Sequence, residues 1–432
     1  MSRVFSPSGA TPGASAPPVL ARRVALIVHR YVGLAMAVFL VVAGMTGALL
    51  AFYEELDREF SAELMDVTPP SPSARPLDPF ELTARLEAQL PNGKRLHNVR
   101  FDAEPDRALG VWIETKPEEW EETYVDPYSG KVLGARDWGF PERGADVMPF
   151  IYTLHYSLAL GQVGNYLFGV VALLWTIDCF VGAYLTFPRS EQKGRAGPRL
   201  SWFRRWIPAW TVKTKQLGSF MFTFHRASGL WLWAMLFVFA WSAVAFNLRE
   251  VYTPVMATLT GMKPSGHDTL PQLTPPFPAP ALSLREAHAV GKKLMAEEAK
   301  RRDFTIQREL YLYYAEDHGA FAYGVESSLD LSSSHPRTEV YFDGNGRFIN
   351  FEAQTGITTG NTISSLFTYL HLAAIGGLGY KIFVSIFGLS VTALSATGVW
   401  VWWRKRVRKT RNAVDPASSN EGVIFDPVSA DS

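Results

Sequence analysis

The sequence predicts a membrane α-helical fold: four transmembrane helices arranged as two repeated halves, each with an inserted extracytoplasmic α+β domain. Three observations predict it. Apolar residues gather into four long runs, basic residues stand beside one end of those runs, and the second half repeats the markers of the first. Averages hide this, since 432 residues with 47% hydrophobic content and a net charge of +1 resemble ordinary soluble domains.

The four runs, 32–53, 166–187, 230–246 and 382–403, are apolar on all sides, with only isolated Thr, Ser and Gly. A helix needs roughly 20 residues to cross about 30 Å of hydrocarbon, and a buried soluble helix of that length would keep a polar stripe. The third run is short unless Phe220–Phe224 extends it. Arg22 and Arg23 precede the first run, basic residues from Arg189 to Lys215 follow the second, and Arg404, Lys405, Arg406, Arg408 and Lys409 follow the fourth. Lys and Arg are retained on the cytoplasmic side, so both termini are expected there. The first run is too long for a secretory signal and reads as an uncleaved anchor.

The expected order is a disordered cytoplasmic tail (1–21), the first span (22–53) and a first insert (54–149). An extracytoplasmic-side helix with the second span (150–188) and a cytoplasmic loop with an amphipathic segment (189–219) come next. The third span (220–248), a second insert (249–364), a helix with the fourth span (365–408) and a cytoplasmic tail (409–432) complete it. In the loop, Trp202, Trp206 and Trp210 recur beside Arg204 and Arg205, as in a segment lying in the membrane interface. Trp400, Trp402 and Trp403 form an aromatic belt.

The repeat is explicit. His29-Arg30-Tyr31-Val32-Gly33-Leu34 opens the first span and His225-Arg226-Ala227-Ser228-Gly229-Leu230 the third. Leu154-His155 precedes the second span and Leu370-His371 the fourth, with Gly161 and Gly182 matched by Gly377 and Gly398. Each insert has a helix-period stretch (79–90; 284–301), then strand-like runs (99–101 and 111–114; 305–314 and 320–325), then a closing turn. Those turns are Asp126-Pro127-Tyr128-Ser129-Gly130 and Asp343-Gly344-Asn345-Gly346, where Pro fixes φ and Gly accepts φ > 0.

Together, the spans, the His-Arg-x-x-Gly-Leu openings, the later histidines and the Tyr-x-Asp-Pro-x-Ser-Gly hairpin resemble the PepSY-associated transmembrane family, over about residues 22–408. The second hairpin departs from that pattern. The resemblance implies PepSY-like inserts and a bacterial inner-membrane protein with periplasmic domains. It also implies kinship with ferric-siderophore reductases that bind b-type haem and serve iron uptake.

Cys179 is the only cysteine, which excludes an intramolecular disulfide, covalent c-type haem attachment and a four-cysteine cluster. No glycine-rich nucleotide motif stands between a strand and a helix, and nothing points to nucleic acid. His29, His155, His225 and His371 flank spans, whereas His97, His267, His288, His318 and His335 scatter through the inserts. A histidine at a membrane boundary is ordinarily just a hydrogen-bonded interfacial residue. Fourfold placement favours haem iron, which takes one imidazole on each face. The two sets lie ~30 Å or more apart along a helix, so two haems are expected, one per membrane face: one held by His29 and His225, the other by His155 and His371. Arg30 and Arg226 either anchor to lipid phosphate or pair with haem propionates.

Gly33, Gly229, Gly161, Gly164, Gly377 and Gly379 fit either close helix packing or room for a macrocycle. Asp178, an acidic residue inside a span, is either a protonated carboxyl bonded through Thr46 or Ser242, or a proton relay. Trp112, Trp120, Trp138, Tyr152 and Tyr156 are either walls of a docking cleft or core. The expected function is reduction of a periplasmic acceptor, ferric iron in a siderophore, with electrons from quinol or a cytoplasmic reductase. The rivals are a non-redox protein whose inserts bind peptides or restrain a protease, and a transporter.

Overall fold

The computed structural model describes residues 17–91, 93–116, 119–189, 201–274 and 280–414. The expected tails lie outside these residues up to 16 and from 415, as does 190–200 of the expected loop.

The helices are α1 (Pro17–Leu50), α2 (Tyr53–Phe60), α3 (Ala62–Met65), α4 (Pro79–Glu87), α5 (Val147–Ser157), α6 (Gly161–Thr186) and α7 (Trp202–Trp206). They continue with α8 (Leu217–Trp231), α9 (Trp233–Asn247), α10 (Arg249–Thr260), α11 (Leu284–Arg302), α12 (Thr359–His371) and α13 (Gly377–Val414). α1, α6 and α13 are each long and apolar enough to cross a membrane, and α8 with α9 makes a fourth span if the pair is counted as one. That pair is bent by 70°, where the sequence predicts one straight helix over 220–248. A Ser-Gly pair, Ser228-Gly229, precedes the break, and such pairs are a recognised cause of kinks. The Ser228 hydroxyl turns back on the Phe224 carbonyl at 2.7 Å, and just past the break the Trp233 indole donates to Cys179 O at 2.9 Å. α1 begins at Pro17, so the last part of the expected tail is helical.

By compactness the chain divides into two units. The first comprises residues 1–41, 174–237 and 393–432; the second comprises 42–173 and 238–392 and holds both inserts. In the first unit, Arg22 donates to the Leu185 and Phe187 carbonyls at 2.5 and 3.0 Å, capping the end of α6. In the second, α1 and α13 touch backbone to backbone. A Cβ at Gly44 would fall 2.6 Å from Gly388 O, and one at Gly388 2.5 Å from Gly44 O.

Both inserts lay a helix on an antiparallel sheet. Asp78 caps α4 by accepting from the Phe80 and Glu81 amides, and Leu82 and Leu86 pack on Leu109, Val111, Ile113 and Val125. Ser283 and Glu286 form a reciprocal capping box on α11, whose Ala287 and Met295 pack on Leu312, Phe321, Val340 and Phe342. The strands are β1 (Arg95–Leu96), β2 (Asn98–Arg100), β3 (Leu109–Lys116), β4 (Glu119–Val125), β5 (Val132–Arg136), β6 (Ile306–Ala315), β7 (Ala320–Ser327), β8 (Thr338–Asp343) and β9 (Phe348–Glu352). Their orders are β1-β3-β4-β5 and β2-β6-β7-β8-β9. The strand expected at 99–101 therefore leaves its own insert: β2 pairs with β6, in the register Val99 to Leu312.

The closing turns share a device despite their different residues. Asp126 accepts from the Tyr128 amide at 2.8 Å and Asp343 from the Asn345 amide at 2.9 Å, and Gly130 and Gly346 supply positive φ of 76° and 87°. Arg136, only 5% exposed, joins the first sheet to α2 through Asp57 at 2.7 Å and to β4 through Glu122 at 2.8 Å.

Candidate functional site

Within the first unit, His29 on α1 and His225 on α8 stand with ring centres 6.1 Å apart and planes tilted by 55°. His29 Nδ1 lies 3.0 and 2.9 Å from the two carboxyl oxygens of Asp178. His225 Nδ1 lies 3.0 Å from Leu394 O and 3.3 Å from Thr397 Oγ1. A carbonyl oxygen only accepts, so His225 carries its proton on Nδ1. Each ring rests against a glycine of another helix: a Cβ at Gly182 would meet His29 Cε1 at 3.5 Å, and one at Gly398 would meet His225 Cε1 at 3.2 Å.

Within the second unit, His155 at the end of α5 and His371 at the end of α12 have ring centres 6.2 Å apart and planes at 80°. Their partners are hydroxyls. Thr46 Oγ1 is 2.9 Å from His155 Nδ1, and Ser242 Oγ is 2.7 Å from His371 Nδ1. Each hydroxyl has one proton, already donated to the carbonyl one turn back: Thr46 to Val42 O and Ser242 to Val238 O, both at 2.7 Å. Toward the imidazole they can only accept, so both rings carry the proton on Nδ1 and present a bare Nε2. Gly47 gives His155 its seat, with a would-be Cβ 3.0 Å from Cε1, and Phe239 stacks on His371 at 4.6 Å.

These positions follow the repeat. His29 matches His225, Thr46 matches Ser242, His155 matches His371, and Gly182 matches Gly398. Asp178 has no like counterpart, because Leu394 stands at its place.

The pairs fit a six-coordinate metal centre. Metal–nitrogen bonds of about 2 Å, with each nitrogen about 1.1 Å from its ring centre, put two opposed imidazole centres about 6 Å apart. An Nδ1–H held by carbonyl, hydroxyl or carboxyl is the usual support for a histidine that ligates through Nε2. Among the described residues no cluster of three or more His, Cys, Asp or Glu suits a bare metal ion. Two nitrogens alone suit an iron whose other ligands come from a macrocycle.

Other predicted residues are placed as follows. Asp178, 8% exposed, faces His29, not Thr46 or Ser242 as expected, because both hydroxyls are taken by the other histidine pair. Arg226 donates to Pro208 O and keeps a buried Nε with no partner. Gly33 and Gly379 meet nothing within 4 Å, Gly161 and Gly377 take positive φ at the starts of α6 and α13, and Gly164 tucks onto Ser157 O. Trp112, Trp138, Tyr152 and Tyr156 form a chain of ring contacts at 5.6, 5.8 and 5.2 Å. Trp120 lies instead against His97 at 4.7 Å. Burial pushes the His97 and His335 imidazoles below their ordinary range, as for core histidines. Trp202, Trp206 and Trp210 meet in succession, tilted and then edge-on, and the Trp206 indole donates to Thr186.

Thr46, Ser242 and Gly47 were not expected at the histidines. Thr46 and Ser242 recur at one repeat position, which is the signal that finds them.

The family described as the PepSY-associated TM region matches residues 26–405, and the chain belongs to it. It is accordingly a multi-pass membrane protein. No curated protein matches the chain.

Proposed function

We propose that this member of the PepSY-associated transmembrane family carries electrons across a bacterial inner membrane through two b-type haems and reduces a periplasmic acceptor. The observation that carries the reading is the state of the paired histidines. Three have accepting partners on Nδ1 and the fourth faces a carboxyl, which leaves Nε2 of each ring for a metal, and the ring centres of each pair stand at a spacing that suits one iron.

Haem held at such a pair supplies a one-electron centre. The remaining work belongs to the chain. Carbonyl, hydroxyl and carboxyl partners fix the rings, and Gly47, Gly182 and Gly398 let them seat. Gly33 leaves open space one turn from His29, on the same helix face. Arg30 has no ion pair among the described residues and Arg226 retains its buried Nε donor, so both have capacity for propionates. The basic flanks favour an orientation with His29 and His225 on the cytoplasmic side and both inserts in the periplasm.

The acceptor class is ferric iron in a hard-oxygen chelate such as a siderophore. One electron converts Fe³⁺ to Fe²⁺, which is less charged, binds such ligands more weakly and is released. A quinol donor gives up two electrons and two protons, enough for two ferric ions; a cytoplasmic reductase would feed the same centre.

The test is a reduced-minus-oxidised spectrum of membranes containing the overproduced protein, with haem extracted and counted. Two non-covalent haems per chain are expected. A colourless, folded protein would favour peptide binding by the inserts.

A further inference from the structure

Asp178 breaks the repeat, and the break falls on a proposed haem ligand. Three of the four histidines give Nδ1–H to neutral groups: His225 to the Leu394 carbonyl, His155 to Thr46 and His371 to Ser242. Only His29 faces a carboxyl, with both oxygens in reach at 2.9 and 3.0 Å. Asp178 is buried inside a span, and at its repeat position Leu394 offers the other ring no more than a main-chain oxygen.

We propose that Asp178 is a positioning residue that sets the His29/His225 haem at a lower reduction potential than the His155/His371 haem, so that electrons run downhill from the first centre to the second. The inference rests on the haem reading above.

The physical argument has two parts. A carboxylate accepting Nδ1–H pushes electron density into the imidazole and makes Nε2 a stronger donor, which favours ferric iron. An ionised Asp178 in a low-dielectric span would also favour the more highly charged oxidation state. The hydroxyls at the second centre do neither to a comparable degree. Thr46 and Ser242 are uncharged. The chain thus keeps one ligand set for both centres and gives them different neighbours, of which Asp178 is the one carboxyl. Quinol gives up two electrons and two protons, and the two electrons would pass in succession by way of the two histidine pairs to two ferric ions. No further oxidant or reductant is required.

The experiment is a spectroelectrochemical titration of the full-length protein in detergent, with haem counted in every sample. Wild type should give two midpoints. Asp178→Asn should raise the lower and leave the upper in place, while Asp178→Glu should keep the lower near its original position. Unmoved midpoints in Asp178→Asn with both haems bound would overturn the proposal. Should that variant lose haem, the double variant His29→Ala/His225→Ala decides the matter. The midpoint that disappears should be the lower one, and survival of the lower midpoint overturns the proposal. Wild type without haem would remove the underlying reading instead.

Discussion

At His155 and His371 the two halves of the chain do the same thing with the same chemistry: a helix hydroxyl, its own proton turned back on the preceding turn, accepts from Nδ1. At His29 and His225 they do not. One ring meets a carboxyl and the other a main-chain carbonyl, although the ring spacings are 6.1 and 6.2 Å. The ring spacing is thus the same at both pairs, while the neighbours match at one and differ at the other. Spacing decides whether a metal can be held between two rings, whereas the neighbours decide how the held metal behaves.

The comparison can be broken at several strengths. The largest effect is expected from the ligands. His155→Ala with His371→Ala, or His29→Ala with His225→Ala, should each halve the haem content, and loss of all haem in either double variant would mean that the pairs are not independent. Next comes the seat of His155. Gly47→Val puts bulk where even a Cβ lies 3.0 Å from the ring, and overpacking of this kind costs roughly 1–3 kcal/mol. The second centre should empty while the first keeps its spectrum. Thr46→Val and Ser242→Ala should each weaken haem retention at the second centre by about 10–100-fold, as is typical for the partner of a ligating histidine. Because the two hydroxyls are repeat equivalents, hemin titrations should find the losses alike. The smallest effect belongs to the arginines. Arg30→Gln and Arg226→Gln should lower haem retention at the first centre alone by less than about tenfold, measured by competition with an apo-globin.

The spans, both closing turns and the histidine pairing were legible in the sequence because each follows a local rule: apolar length, turn chemistry, or recurrence at a fixed repeat position. The bend at Leu232 was not. No proline marks it, and Ser228-Gly229 looks the same in a straight helix as in a kinked one. Asp178 stood out as an acidic residue in a span, yet its partner could not be chosen, since which side chains meet depends on how the helices are rotated. Thr46 and Ser242 carried a repeat signal, but hydroxyls are common in spans, and only the ring positions give them meaning. The destination of β2 was hidden for a further reason. Three residues alternate too briefly to specify a partner strand.

That short strand has a consequence for the assembly of the molecule. Val99 and its neighbours complete the edge of a sheet whose other strands all come from the second half. Arg95 with Glu316 at 2.6 Å and Arg285 with Asp78 at 2.7 Å add further ties between the inserts. A ribosome makes β2 well before β6 exists, so the earlier half must keep a strand in reserve. Expressed alone, the later half would expose β6 as an unpaired edge, which invites aggregation. Because this strand is donated in one direction, the later half cannot be separated from the earlier without leaving its sheet unfinished. The halves are joined as one protein by a latch three residues long.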